Sequence, residues 1–519
     1  MHHYASQHIN DMDINKKLDE LLQEKKETTQ LDWSGMDINA IPAEIAQLSQ
    51  LKNLNIEDNL LENVPAALGQ LQELERLDMS DNQLTQIPAE LGDLNNLEWF
   101  DLSANQFTTL PDSFGNLSNL EWLDLKNNVF HSLPQSFGQL QKLRKLNMEV
   151  NNFEELPSEV CTLTSLEWLD LSGNHFTKLP ENFKDLQNLE WLDIEENPFG
   201  TFPEAVCALP NLRELDLTAI EVTEIPESIG NLSKLEWLDL AENKLEEVPA
   251  SLGNLVNLEW LDLRSNALKE LPQELANLQQ LTRLNIEENP LGGLPDQICK
   301  LANLLELDLT GIHMNTLNPA IENLKKLEWL DLSVNQLTTL PTELKALTQL
   351  EWLDLKENKL TSLGDGAYEL YNLKELYLGS NHLKTLDEKV NQWEMIERLD
   401  LSFNQIESLP ESISSLQMLH WLNLEDNKIQ NLPESIGGMH LLEDLDVSGN
   451  NLTTLPESFT QLENLRTLDL RNNKFSALPD FMEQLQDTLQ TLYLANNTLS
   501  EEAIAKITAM LPDTHIEFD

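Results

Sequence analysis

The apolar residues of this chain recur with a fixed period over almost its whole length. Counting from Leu51 as position 1, apolar residues occupy positions 1, 4, 6, 11 and 14, asparagine position 9 and proline position 15, and apolar residues return at positions 18 and 21. The pattern repeats every 23 residues from Thr28 to the unit that begins at Leu465, and a last unit begins at Leu489 after a one-residue insertion. A single unit of this length cannot bury its apolar face alone, so the repeats predict an array in which each unit stacks on its neighbours.

Each unit contains a short stretch in which polar and apolar residues alternate. In residues 168–172 (WLDLS), tryptophan, aspartate and serine alternate with two leucines. A period of two is typical of a strand that is buried on one side only. We therefore expect Leu169 and Leu171 to pack inside, and Trp168 and Asp170 to point to solvent.

The residues after the strand predict a turn and a short helical segment. Asparagine at position 9, as at Asn105 and Asn174, suits a sharp turn because its amide can bond backbone groups of the turn and of neighbouring units. Proline at position 15 fixes φ where a short helix begins. Stacked units should therefore form an α/β solenoid, in which a parallel sheet is backed by short helical segments.

Three regions are predicted along the chain. Residues 1–27 are expected to be an N-terminal flexible segment and a capping helix, with Ile14, Leu18, Leu21 and Leu22 on one apolar stripe. Residues 28–499 are the solenoid of about 21 repeats, and residues 500–519 a C-terminal cap made of a helix and a short strand. The pattern shows neither a linker nor a second domain.

The unit, LxxLxxLxLxxNxLxxLPxxLxxL, resembles the repeat of the Ras-binding group of intracellular leucine-rich-repeat proteins and of their bacterial relatives, and the resemblance covers about 490 residues. It implies a right-handed horseshoe with a concave parallel sheet and short convex helical segments. It also implies that the concave face binds other proteins and that there is no catalytic residue. The tail SEEAIAKITAMLPDTHIEFD resembles the end of bacterial arrays, which favours a bacterial source.

Composition restricts the class of partner and the location. Lys and Arg total 33 against 89 for Asp and Glu, and the resulting net charge of −56 repels polyphosphate and anionic lipid. We therefore expect neither nucleic acid nor a membrane as partner. Cys161, Cys207 and Cys299 are too few for a disulfide framework and all occupy position 19, so we expect buried fillers in a cytoplasmic protein. Non-classical export would leave the same pattern, and the oligomeric state is not predicted.

The sequence offers little for catalysis. It contains no GxxxxGK[ST] phosphate loop, no HExxH pair, no CxxC and no GxSxG elbow. Its carboxylates are so numerous that two near each other indicate nothing by themselves. We therefore predict a protein that is not an enzyme, with no cofactor and no bound metal.

Two outward columns are the candidate binding site. Position 3 carries nine of the eleven tryptophans, as four pairs on adjacent strands and one single residue: Trp99, Trp122, Trp168, Trp191, Trp237, Trp260, Trp329, Trp352 and Trp421. Position 5 carries an aspartate column whose members beside the paired tryptophans are Asp101, Asp124, Asp170, Asp193, Asp239, Asp262, Asp331 and Asp354.

These columns favour a non-enzymatic scaffold that binds a protein or peptide, with a basic partner gripped between indoles and carboxylates. A glycan-binding solenoid is the alternative, because sugar rings also stack on indoles and bond to carboxylates. Two plainer interpretations stay open. The aspartates are common in this type of repeat, and paired indoles can cover each other by stacking.

Overall fold

The computed structural model describes residues 17, 18, 20, 22 and 28–518. Of the predicted capping helix, Leu18 and Leu22 are helical and Leu18 is buried, whereas Ile14 and Leu21 lie outside the described residues. No helix in the described part is long and apolar enough to cross a membrane.

Every repeat contributes one strand of three residues, and a last strand follows the final repeat. The strands are β1 (Gln30–Asp32), β2 (Asn53–Asn55), β3 (Arg76–Asp78), β4 (Trp99–Asp101), β5 (Trp122–Asp124), β6 (Lys145–Asn147), β7 (Trp168–Asp170), β8 (Trp191–Asp193), β9 (Glu214–Asp216), β10 (Trp237–Asp239), β11 (Trp260–Asp262), β12 (Arg283–Asn285), β13 (Glu306–Asp308), β14 (Trp329–Asp331), β15 (Trp352–Asp354), β16 (Glu375–Tyr377), β17 (Arg398–Asp400), β18 (Trp421–Asn423), β19 (Asp444–Asp446), β20 (Thr467–Asp469), β21 (Thr491–Tyr493) and β22 (His515–Glu517).

Short helical segments alternate with the strands. The 3-10 segments are Ala43–Gln47, Ala66–Gln70, Ala89–Asp93, Asp112–Asn116, Gln135–Gln139, Val160–Thr162, Glu181–Asp185, Glu204–Ala208, Glu227–Asn231, Ala250–Asn254, Gln273–Asn277, Ile298–Lys300, Pro319–Asn323, Thr342–Ala346, Glu388–Gln392, Glu411–Ser415, Glu434–Gly438, Glu457–Gln461 and Asp480–Leu485. Within residues 28–518, α-helices span Asp365–Tyr368 and Glu501–Met510, and Ser500 caps the second by accepting a hydrogen bond of 3.1 Å from the amide of Ala503.

The chain divides into two compact units, Met1–Leu258 and Glu259–Asp519. In the first unit, β1 to β10 form a parallel sheet in which each strand pairs with the next. In the second, β11 to β22 are paired in the same way. The register never shifts, so equivalent residues of neighbouring repeats lie side by side. The predicted boundaries at residues 27 and 499 stay predictions.

The core lies between the strands and the helical segments. Leu169 and Leu171 are fully buried, as the alternation predicted, and Trp33 of the first repeat is 2% exposed. The predicted α/β leucine-rich-repeat solenoid is confirmed within each unit. Cys161, Cys207 and Cys299 are free and buried, and burial raises the pKa of the Cys161 and Cys299 thiols to about 12, so both remain neutral fillers.

The asparagines form the predicted spine. The side-chain oxygen of Asn82 accepts a hydrogen bond of 3.0 Å from the amide of Leu61 in the preceding repeat, and its amide group donates to the carbonyl of Ile56 at 2.9 Å. The same two contacts recur at Asn105 and at most spine positions. The first repeat has Met36 in place of this asparagine, and two later repeats place Ile220 and Ile312 there, fully buried in a turn with one more left-handed residue than usual.

One feature of the turn was not predicted. The residue directly before the spine asparagine adopts a left-handed conformation in almost every repeat, although it is seldom glycine. Val150 has a φ of 51° and Val334 a φ of 54°, and this region strains a β-branched side chain. The surrounding turn therefore imposes this conformation, and the asparagine is not required for it, because Ala219 has a φ of 53° although Ile220 follows in place of the asparagine.

The repeats without proline at position 15 are packed differently. Gly364, with a φ of 74°, starts the short helix Asp365–Tyr368. The ring of Tyr368 stacks on Trp393 with centroids 5.1 Å apart, and the Trp393 indole N–H donates to the carbonyl of Ala367 at 3.0 Å. Trp393 is fully buried, so one large side chain packs against the short helix that stands here in place of the usual 3-10 segment.

Candidate functional site

The candidate site is the solvent side of the strands. We call it the outer strand face and define it as the first and third residues of each strand together with the second residue after the strand. In β7 these are Trp168, Asp170 and Ser172. The nine predicted tryptophans all occupy the first position of their strand, and every one is half-buried.

The indoles are stacked in pairs. Trp99 and Trp122 have ring centroids 4.4 Å apart and planes inclined by 4°. The corresponding values are 4.4 Å and 11° for Trp168 with Trp191, and 4.5 Å and 10° for Trp329 with Trp352. Trp237 belongs to the first unit, Trp260 to the second, and Trp421 is single. Each stack covers its inner ring faces, and the outer side of Trp352 also contacts Tyr377, with ring centroids 5.6 Å apart.

The aspartates are less exposed than the sequence suggested. Asp101, Asp124 and Asp331 are half-buried, but Asp170, Asp193, Asp239, Asp262 and Asp354 are buried, so the expectation that Asp170 points freely to solvent is wrong.

The cause is the turn that follows each strand. In all eight, one carboxylate oxygen accepts a hydrogen bond of 2.7–3.0 Å from the backbone amide two residues later. Each aspartate therefore shapes the strand exit, and in Asp170 the same oxygen also accepts a hydrogen bond of 2.6 Å from the Ser172 hydroxyl.

Burial of this carboxylate row has an electrostatic consequence. Burial raises the pKa of Asp101 and of Asp354 to about 7, and neighbouring aspartates add to the effect. Burial raises the pKa of Asp124 and of Asp262 to about 6, and this rise is opposed first by hydrogen bonds from the backbone amides of Lys126 and Arg264 and then by the charges of these two residues. The pKa of Asp193 reaches about 9, through burial first and then the charges of Asp216 and Asp170.

The face also carries basic residues of its own, and some of them lie over aromatic rings. The Arg76 guanidinium lies over Trp99, with its central carbon 4.7 Å from the ring centroid. Lys356 lies over Tyr377 at 4.2 Å and is 3.4 Å from the Asp400 carboxylate. The outer strand face therefore holds a cation between an aromatic ring and carboxylates, as the sequence hypothesis requires of a ligand.

The acids are most concentrated at β8 and β9. Carboxylate oxygens of Asp193, Glu195 and Asp216 lie within 4.8 Å of one another. Burial, followed by the charges of Asp216, Glu196, Asp170 and Asp239, raises the pKa of Glu195 to about 7. Glu195 was not among the residues predicted for the site because it follows the strand, although the regular spacing of the repeat placed it on the same face.

Cavities are shallow on this face. One of about 280 Å³ is lined by residues of β1 to β4, including Asn53, Arg76 and Trp99, and one of about 210 Å³ by residues of β11 to β14. A larger cavity of about 800 Å³ lies among the helical segments, where Val160–Thr162 is shorter than its neighbours. Side chains there bond their own segment, as the Thr162 hydroxyl does to the Glu159 carbonyl at 2.7 Å. The outer strand face, which brings rings and charges together, is the better candidate site.

Comparisons with known proteins agree with the fold. The "Leucine-rich repeat region" family model matches residues 89–171, 250–360 and 412–511, and the "Leucine rich repeat" model matches six stretches between residues 49 and 429. Comparison with curated proteins gives no significant match.

Several solved structures are similar. A leucine-rich-repeat protein of Leptospira interrogans is 30% identical, with 92% of this chain and 98% of that chain covered and a TM-score of 0.49. The TDR receptor is 25% identical, with coverage of 94% and 92% and a TM-score of 0.63. The Arabidopsis receptor kinase HAESA, solved with the peptide hormone IDA and the co-receptor SERK1, is 26% identical, with coverage of 95% and 91% and a TM-score of 0.59.

Proposed function

Because the chain belongs to the leucine-rich-repeat family, we propose that it is a non-enzymatic scaffold that binds a protein or peptide on its outer strand face. Leucine-rich-repeat neighbours support an interaction role, since HAESA is solved in complex with a peptide hormone and a second protein. We further propose that the partner is basic and that no bond is made or broken.

The observation that carries this proposal is the position of the Arg76 guanidinium over the ring of Trp99. The chain's own guanidinium occupies an outer ring face of a stacked pair, 4.7 Å from the centroid, on a face dense in carboxylates. Guanidinium groups within about 6 Å of an indole are attracted to the ring face. Other outer ring faces of the tryptophan column can bind an arginine or lysine side chain of a partner in the same way.

The exposed part of each indole limits the energy that one pair can supply. A fully buried indole covers roughly 150–250 Å², and the tryptophans of the column are already half-buried, so only a minor part of this area remains to be covered. Covering about 50 Å² on each ring of one pair contributes about 2.5 kcal/mol at roughly 25 cal/mol per Å², before the cost of ordering the partner, so a specific partner should cover several pairs. The carboxylates chiefly accelerate capture and select for positive charge.

The remaining features of the proposal follow from the sequence. We place the chain in the cytoplasm and among the bacterial relatives of the Ras-binding group, and we expect no nucleic acid, membrane or cofactor to bind. Fractionation of the source cell tests the location.

Titration with hexaarginine, followed by tryptophan fluorescence and calorimetry, tests the binding mode. We expect binding that weakens as salt is raised, and at least a tenfold loss of affinity in Trp168→Ala/Trp191→Ala. The matched control, Trp168→Phe/Trp191→Phe, keeps a stacked pair and should retain most of the affinity. Circular dichroism checks that each variant is folded. Unchanged affinity in the alanine variant would refute the role of the column. Salt-insensitive binding of cellohexaose in place of hexaarginine would favour the glycan alternative.

A further inference from the structure

Three consecutive repeats carry apolar residues at a position where the other repeats are polar. Position 23 is the last residue of the repeat and lies three residues before the strand that follows. From Gln50 to Asn464 it is polar in every repeat except three, which place Met395, Met418 and Leu441 there. Met395 is 40% exposed, Met418 is 37% exposed and Leu441 is partly exposed. Packing of the core therefore does not account for these apolar residues.

The three side chains form one row. The strands that follow them, β17, β18 and β19, pair without a shift of register. Elsewhere, side chains at position 23 of adjacent repeats touch each other, as Lys142 touches Asn119 and Lys326 touches Asn303, each at 2.7 Å. The repeat before Met395 adds a tyrosine at position 22 that is 52% exposed. We call these four residues the apolar edge: Tyr371, Met395, Met418 and Leu441.

The apolar residues also remove hydrogen bonds to the backbone. Where position 23 is asparagine, its side-chain amide donates to the carbonyl at position 22 of the preceding repeat, as Asn372 and Asn464 on either side of the edge do at 2.7 Å. Methionine and leucine side chains have no such donor. Within residues 28–518, no other donor reaches the carbonyls of Tyr371, Glu394 and Gln417. The edge therefore combines apolar side chains with three carbonyl oxygens that can accept hydrogen bonds from a partner.

The charges beside the edge are acidic. Glu394 is exposed and Glu397 is half-buried, and neither forms an ion pair within the described part of the chain. Lys374, which precedes Glu397 by one repeat, is already paired with Glu351 at 2.7 Å. A second copy of this chain would bring another net charge of −56 and is repelled. Acids and carbonyl oxygens together favour a partner that carries lysine or arginine beside its apolar residues.

The spacing of the row suits an α-helix. Adjacent strands lie about 4.8 Å apart, so four successive repeats distribute the four apolar side chains over about 14 Å. On an α-helix, residues i, i+4, i+7 and i+11 lie on one face and span about 16 Å, at a rise of about 1.5 Å per residue. A helix that lies along the edge can therefore place one apolar side chain beside each repeat.

We propose that the apolar edge binds an amphipathic α-helix of a partner protein. The apolar stripe of the helix packs on Met395, Met418 and Leu441, and lysine or arginine residues beside the stripe donate to the open carbonyls and pair with Glu394 and Glu397. The edge contains no residue of the outer strand face. It is therefore a second binding surface, and it can be tested independently of the tryptophan column.

A synthetic peptide of leucine and lysine, with the leucines on one face of a helix, is the probe. Fluorescence anisotropy of the labelled peptide in high salt, which screens the general attraction between opposite charges, measures its affinity. Met395→Asn/Met418→Asn/Leu441→Asn should weaken binding at least tenfold. The variant should remain folded by circular dichroism, because asparagine already occupies position 23 in the repeats on either side.

Two controls separate the edge from other surfaces. Val256→Asn removes an exposed apolar side chain outside the edge and should change the affinity less than twofold. Hexaarginine has no apolar side chain, so its binding to the triple asparagine variant should also change less than twofold. Failure of hexaarginine to bind at all would refute the function proposed for the outer strand face and leave the apolar edge in place.

The acids are tested separately. Glu394→Gln/Glu397→Gln should weaken binding of the leucine–lysine peptide a few-fold. Glu190→Gln/Glu259→Gln makes the same change in net charge elsewhere and should have less than a twofold effect. Equal effects of these two variants would overturn the basic character of the partner.

Three results would overturn the assignment of the edge itself. The first is unchanged affinity in the triple asparagine variant. The second is equal binding of a scrambled peptide with the same composition but no apolar stripe. The third is a wild-type dimer in analytical ultracentrifugation that the triple asparagine variant dissociates, because this would assign the edge to a second copy of the chain.

Discussion

Replacing Asp101 by asparagine should stabilise the protein, and more so at high pH. The substitution keeps the hydrogen bond from the amide of Ser103, which is 2.9 Å long, because a carboxamide oxygen accepts equally well. Asn147 occupies the same strand position on β6, accepts from the amide of Glu149 at 2.9 Å and donates to Asp124 at 3.1 Å. Asparagine therefore fits the site, and the variant removes only a poorly solvated charge.

The size and sign of the effect follow from the pKa of Asp101. Burial raises this pKa from 3.8 to about 7, so between these pH values the folded protein holds a proton that the unfolded chain releases. Stability consequently falls as pH rises through this window and stays low above it. At about 1.4 kcal/mol for each pKa unit the upper bound is about 4 kcal/mol. Solvent screening of a half-buried group reduces the expected gain to about 2 kcal/mol at pH 8.

Urea unfolding at pH 5 and pH 8, followed by circular dichroism, measures the effect. We expect the gain of Asp101→Asn at pH 5 to be less than half of its value at pH 8. Asp32→Asn is the control with the opposite sign, because hydrogen bonds from the hydroxyl and amide of Ser34 lower the pKa of Asp32. That carboxylate stabilises the fold above its usual pKa, so its removal should cost stability at both pH values. An equal gain for Asp101→Asn at pH 5 and pH 8 would refute the desolvation argument.

Two further predictions concern stability. Val150→Asn should raise the free energy of unfolding by about 1 kcal/mol, because asparagine tolerates the left-handed turn at φ 51°, and Val256→Asn, at an equally exposed valine outside that turn, should give no gain in the same urea titration. Trp393→Leu should accelerate amide exchange in residues 361–395 more than in residues 442–488, because it removes the Tyr368 stack; uniform exchange would show that this stack does not hold the segment.

The sequence predicted the fold because its information is periodic. A period of 23 residues fixes which residue neighbours which, so the inward leucines, the asparagine spine and the pairing of tryptophans all followed from spacing. How deeply each outward side chain is buried did not follow from the spacing. Asp170 and Trp168 both face outward in the pattern, yet the turn draws the aspartate into a buried hydrogen bond while the indole remains half-exposed.

Charge distribution was predictable only in part. The aspartate column was visible in the sequence. Which of its aspartates lie near a lysine was not, because lysine side chains reach across neighbouring strands. Lys356 contacts Asp400 two strands away, which the repeat pattern does not reveal. The same limit applied to Trp393, whose position in the repeat predicts burial but whose hydrogen bond to Ala367 required coordinates.

The asparagine spine also governs how this protein ages chemically. Deamidation requires the backbone nitrogen after an asparagine to attack its side-chain carbonyl carbon. At Asn82 the following nitrogen, that of Gln83, is held by a hydrogen bond of 2.9 Å to the carbonyl of Leu61, and the side chain itself is bonded at both ends. Asn105 and Gln106 are held in the same way. Folding thus protects a whole row of asparagines from isoaspartate formation. Each one that deamidates during prolonged unfolding loses the amide group that donates to the neighbouring repeat, so time spent unfolded becomes irreversible damage.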